Sequence, residues 1–146
     1  MCDWLIPFNR RLELSGEAYY GQSISLGEQS GGNLAEVLAI SGPLDDRSTT
    51  VRGIHSTGGW AQLRAKAATR LEFNLAMGMD DPRNSDVFAG LITAGTRLKN
   101  QAFSVNSILQ LRSNFLFSVE FRRLWTDYPG STSTNNHINL AIGYLF

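Results

Sequence analysis

Excess charge, long apolar runs and cysteines are all scarce in this chain of 146 residues, and each shortage closes a route. Thirteen basic and thirteen acidic residues cancel, so no basic surface argues for a nucleic-acid partner. Cys2 is the only cysteine, which excludes an internal disulfide and a cysteine metal cluster. No run approaches about 18 consecutive apolar residues, so no transmembrane helix is encoded. His55 and His137 are the only histidines, and neither has a partner at metal-ligand spacing. There is no G-x-S-x-G, and no Ser/His/Asp set assembles from local motifs. The expectation is no catalytic residue, no cofactor and no bound metal.

The start, Met-Cys-Asp-Trp-Leu-Ile-Pro-Phe, has neither a basic region nor an apolar stretch of signal-peptide length. Either a signal has been removed or the chain begins inside a longer protein. Charged residues make up 18% of the chain, against about 25% in an average globular protein. Mean hydropathy is −0.15, which by itself suggests a soluble protein. That inference is unsafe, because strands alternating apolar and polar residues average to neutral.

Alternation is what the chain does have. Ile138, Leu140, Ile142, Tyr144 and Phe146 interleave with His137, Asn139, Ala141, Gly143 and Leu145. The same period of two runs through Phe115 to Arg122, Phe103 to Arg112, Arg70 to Met79, Trp60 to Ala67, and Leu12 to Tyr20. The expected fold is therefore all-β: an antiparallel up-and-down meander of about six long strands, several near the 9–11 residues a tilted strand needs to cross a bilayer.

The connections carry further information. The joins around Ala67–Thr69 and Arg112–Asn114 are tight. Those from Ser23 to Gly58, Asp80 to Asn100 and Thr126 to Asn135 read as long and rich in turn residues. Strict alternation of short and long connections is what a membrane barrel requires, with short turns on the periplasmic side and longer loops outside. Asn33 to Ile40 has helical spacing of Leu34, Val37 and Leu38, with Asn33 as N-cap, and predicts a loop helix at the barrel mouth or one folded inward as a constriction.

A soluble sandwich also alternates, but its strands average about 5–6 residues. These are about twice as long. Aromatic residues also sit at the stripe ends: Tyr20, Phe103, Phe115, Tyr144 and Phe146, with Trp125 and Tyr128 nearby. Such rings favour the interfacial belts of a membrane barrel.

The ending Asn139-Leu-Ala-Ile-Gly-Tyr-Leu-Phe146 resembles the C-terminal strand of Gram-negative outer-membrane β-barrel proteins. In that family the strand ends in Phe, with apolar or aromatic residues at alternate places before it. The resemblance implies that Ile138, Leu140, Ile142, Tyr144 and Phe146 form the signal read by the barrel-assembly machinery. Phe115 to Leu124, followed by a polar loop and the final strand, is similar to the ends of large bacterial porins. Residues 1–146 are accordingly expected to be the C-terminal segment of a transmembrane β-barrel and a fragment of a longer chain, since six strands fall short of the eight or so that close the smallest bacterial barrels.

The expected lumen face holds Glu13, Glu17, Arg64, Lys66, Arg70, Glu72, Arg112, Glu120 and Arg122. Five basic against four acidic side chains choose no ion sign. Asp80, Asp81, Asn84 and Asp86 crowd one loop with oxygen ligands suited to Ca²⁺, but they match no EF-hand spacing and Pro82 favours an ordinary turn. The function expected is a porin-like outer-membrane channel for passive diffusion of small solutes or ions. Its partners would be the lipid bilayer, the assembly machinery, those solutes and, in some assemblies, further copies of itself. A non-conducting structural or adhesive barrel is the alternative, and a barrel enzyme a third.

Overall fold

Period-two side-chain alternation is realised as one continuous antiparallel sheet. The computed structural model describes residues 1–23, 38–112 and 114–146. Among these residues it is all-β, 68% strand, with no helix of seven residues or more. The main sheet has seven strands: β1 (Cys2–Pro7), β2 (Leu12–Gln22), β5 (His55–Ala68), β6 (Leu71–Pro82), β7 (Lys99–Gln110), β8 (Phe115–Tyr128) and β9 (Ser131–Tyr144). They lie in that order, each hydrogen-bonded to the next in sequence along the meander. A small ladder, β3 (Leu38–Ile40) with β4 (Val51–Gly53), stands apart, and one four-residue helical turn, α1 (Asn84–Val87), follows β6.

Three tight turns lie at one end of the sheet. In the first, Asn9 Oδ1 accepts from Arg11 N at 2.8 Å and Leu12 N at 3.0 Å, an Asx arrangement that reverses β1 into β2. The second turns at Thr69–Arg70, just beyond a register shift between Lys66 and Ala68. The third, after β7, closes with Leu111 N donating to Phe115 O at 2.9 Å. At the opposite end lie the longer connections, which carry β3, β4 and α1.

The meander expected from alternation is observed, with three differences. First, the main sheet has seven strands where about six were expected. β1 escaped because Trp4-Leu5-Ile6 is a continuous apolar run without alternation, and Pro7 ends it. Second, the connection expected to be long between Thr126 and Asn135 is a two-residue turn, with Tyr128 paired to Ser131. Pro129 fixes its own φ and Gly130 takes φ +78°, the combination a type II turn demands. The polar Thr126, Asp127, Thr132 and Ser133 are thus strand residues, and short and long connections do not strictly alternate. Third, of the helix expected over Asn33 to Ile40, residues 33–37 lie outside the described residues, and Leu38–Ile40 is strand.

The only buried apolar cluster among the described residues lies at the loop end. Ala39, Ile54 and Val87 pack together, flanked by Ile92 and Leu98. Leu91 N donates to Ile40 O at 2.7 Å, tying the segment after α1 to β3. The broad sheet itself has no such apolar core.

Candidate functional site

Register converts the alternation into rows running across the strands. One row reads Ile6, Leu14, Leu63, Leu75, Val105, Phe121, Ile138 from β1 to β9, apolar at every strand. The next row toward the turns includes Leu12, Ala65, Phe73, Val119 and Leu140. Beyond it lie Leu71, Leu109, Phe117 and Ile142. This apolar face is the exposed one: Phe73, Leu75 and Met77 are 44%, 45% and 65% accessible, while Asn74 between them is 5%. Large apolar side chains are more often the buried ones and asparagine the exposed one.

The other face is a hydrogen-bonded polar ladder. Asn74 Nδ2 donates to Asn106 Oδ1 at 2.9 Å and to Glu72 Oε1 at 3.2 Å, and Asn74 Oδ1 accepts from Gln62 Nε2 at 3.3 Å. Arg64 Nε lies 2.8 Å from Glu72 Oε2, with a longer 3.7 Å approach from an Arg64 amine to Glu13. Arg122 meets Glu120 at 3.2 Å, and Asn139 Nδ2 donates to the same carboxylate at 3.0 Å. Each exposed ion pair contributes only about 0–1 kcal/mol. The ladder links polar side chains of β2, β5, β6 and β7, and a second group joins β8 to β9.

Of the residues expected to line a lumen, Glu13, Glu17, Arg64, Lys66, Glu72, Glu120 and Arg122 share this polar face. Arg70 and Arg112 sit in the tight turns, one or two residues beyond the strand ends, and Arg70 lines one hollow with Lys66 and Glu72. With Arg10 and Arg11 they make the turn end basic. Asn74 reads from sequence as a water-facing position, whereas its amide partners Gln62 and Asn106 carry no signal of their own. Their parity was visible, but only the register shows that they meet.

Two aromatic side chains cover glycines across strand pairs: Trp4 lies over Gly16 and Tyr19 over Gly58, where any Cβ would collide with the ring. On the apolar face Phe115 and Tyr144 meet edge to face with centroids 5.1 Å apart near the turns. The Arg123 guanidinium lies 5.2 Å over the Trp125 ring nearer the loops. The proposed sorting residues Ile138, Leu140, Ile142 and Tyr144 project from the apolar side of β9, all more than half exposed, and Phe146 follows the strand end.

The chain matches no family model, no curated protein and no solved structure.

At that loop end the polar face is covered. Tyr19, Ser56, Asp80, Asn100 and Thr126 are all buried there, and Thr126 Oγ1 donates to Asn100 Oδ1 at 2.8 Å. His55 anchors the neighbouring helical turn: its backbone N–H donates to Asp86 Oδ2 at 3.0 Å, and its Nδ1 lies 2.8 Å from the same oxygen. Those bonds hold the Asp86 carboxyl below the usual carboxylate range. The Ser48 backbone N–H and hydroxyl do the same for Asp46. Of the four oxygen residues considered for calcium, Asp81 and Asn84 line one hollow beside His55. Asp80 is buried on the polar face, Asp81 pairs with Lys99 at 3.0 Å and Asp86 is held by His55, so among the described residues no group of three or more metal-binding side chains forms.

Proposed function

We propose that this sheet is part of the wall of a bacterial outer-membrane β-barrel, and that the barrel is a porin-like channel through which small solutes or ions diffuse passively. The observation that carries the reading is the inversion of the two faces. One row is apolar at all seven strands and most of that face is exposed, while many of the polar groups are bonded to one another behind it. Water penalises such a surface at roughly 25 cal/mol per Å² of apolar area, whereas hydrocarbon does not. The stripe from Leu71 to Met79 spans about 27 Å along the strand at about 3.4 Å per residue. At a tilt near 40° that is about 20 Å of membrane normal, close to the apolar band of about 25 Å that such barrels carry. No helix among the described residues is long and apolar enough to cross a membrane, so the strands would make the crossing.

In this reading the polar ladder lines the water-filled side, and Ile138, Leu140, Ile142, Tyr144 and Phe146 serve as the assembly signal of the last strand. The test is conductance across a planar lipid bilayer by the full-length barrel protein. Stepwise conductance supports a channel; a protein that inserts and stays electrically silent removes it. The burial of Tyr19, Ser56, Asp80, Asn100 and Thr126 favours a second reading, in which loop segments close the mouth and the barrel is structural or adhesive.

A further inference from the structure

Several apolar side chains interrupt the polar face, Ile108, Leu116, Leu124 and Trp60 among them. Trp60 shares its row with Asp3, Glu17, Leu124 and Asn135, and with the small Gly78 and Ala102 beside it. The adjoining row places Ala76 next to them, between Gln62 and Ser104. Three small residues on neighbouring strands leave a hollow of about 300 Å³, with Trp60 as one wall and Arg122 with Glu120 as the other. The walls stand on strands three spacings apart, about 14 Å between backbones, which leaves room for one six-membered ring between the side chains. The volume is at the low end of what small-molecule sites enclose.

The lining specifies the occupant. The Trp60 Nε1 atom is buried and has no hydrogen-bond partner, so the surface it lends the hollow is the carbon of the indole ring. Opposite, the charges cancel, since Arg122 is held by Glu120 at 3.2 Å. An anion would have to compete with that carboxylate. The amides each keep one group in hand. Asn106 accepts through Oδ1 from Asn74 and retains its N–H donors, while Gln62 donates through Nε2 and retains its carbonyl. Both bonds recorded to Glu120 fall on Oε1, which leaves its second oxygen as an acceptor. Ser104 can both donate and accept. Donors and acceptors mixed within one ring's reach, with no net charge and an aromatic face alongside, match a ring that carries hydroxyls on its edges and C–H bonds on its face.

We infer that this hollow is a binding subsite for a neutral hydroxylated ring, the chemistry of a monosaccharide or a terminal sugar residue. The inference deepens the channel reading by naming a solute class, but the subsite is built within β5 to β8 and does not need conductance to be seen. The experiment uses the 146-residue chain folded in detergent micelles, with glucose as probe and benzoate as an anionic ring of similar size. Saturation-transfer difference NMR and equilibrium dialysis read the binding. Glucose is expected to bind in preference to benzoate, about tenfold more weakly in Trp60→Ala. Ala102→Phe, which fills the hollow, should abolish binding with strand content unchanged by circular dichroism. Trp125→Ala, on the apolar face, should leave it intact. If Ala102→Phe fails to fold, Glu120→Gln and Trp60→Ala still decide, since both should weaken glucose. Preference for benzoate, no glucose binding by the folded chain, or equal binding by Trp60→Ala and the parent would each overturn the inference. Sugar binding without conductance would remove the channel and keep the subsite; conductance without sugar binding would do the reverse.

Discussion

Leu75 occupies the middle of the apolar stripe on β6, between Phe73 and Met77, with Leu63 and Val105 beside it on the adjoining strands. Arginine there should cost about 2–4 kcal/mol if the face meets hydrocarbon, because the charge lies near the midplane and must distort the bilayer to reach water. The matched control has to carry the same charge on the other face. Asn74 is unsuitable, since it is 5% exposed and bonded to Gln62, Glu72 and Asn106, so replacing it breaks the ladder. Ser118 on β8 is better: it is half-buried, lies on the polar face opposite Ile108 and Ala141, and makes no side-chain hydrogen bond among the described residues. Leu75→Arg and Ser118→Arg are therefore compared by urea-dependent folding into lipid vesicles. A gap of about 2 kcal/mol or more, with Leu75→Arg the weaker folder, is expected. Equal costs would refute the membrane assignment of the face, as would a Leu75→Arg chain that becomes stable and monodisperse in buffer without detergent.

Three further outcomes follow from particular contacts. Asn74→Leu should destabilise the sheet by about 2–4 kcal/mol in the same titration, since three hydrogen bonds are lost and their partners are left unpaired; a cost below about 0.5 kcal/mol would show the ladder to be solvated. Because the Asp86 carboxyl sits below its ordinary value, the clasp on His55 is complete above the usual carboxylate range and is released as pH falls through the depressed value. An NMR titration of the His55 amide should show that release below about 3.9, and a midpoint at or above it would contradict the clasp. In a Cys2→Ser background, Asp45→Cys and Ser131→Cys should react with an impermeant thiol reagent on intact cells while Thr69→Cys does not, because the structure puts the first two at the loop end and Thr69 in a tight turn. Reversed labelling would invert the topology.

Faces proved easier to read from sequence than edges or ends. In β6 to β9 the side-chain identities at alternate positions are enough to assign every residue a side, because parity is local. The boundaries depend on pairing instead. Thr132 and Ser133 look like loop residues until Asp127 and Thr126 stand opposite them, and the Pro129–Gly130 turn makes that register available. β1 lacks alternation altogether, and only its ladder to β2 makes it a strand. The candidate subsite was partly legible. Trp60 was visibly on the polar parity, but its meeting with Gly78, Ala102 and Arg122 depends on the register of four strands, which composition does not encode.

The odd number of strands has a directional consequence. With seven antiparallel neighbours in succession, β1 and β9 advance the same way, both toward the tight turns. Bringing those two edges together would make a parallel ladder, the one junction in the wall with slanted hydrogen bonds. Copies related by rotation about an axis along the strands would meet in the same parallel sense at every seam. An all-antiparallel ring needs an odd number of additional strands between β9 and β1, and a single one, running from the turn end toward the loop end, would bring the total to the eight or so of the smallest bacterial barrels.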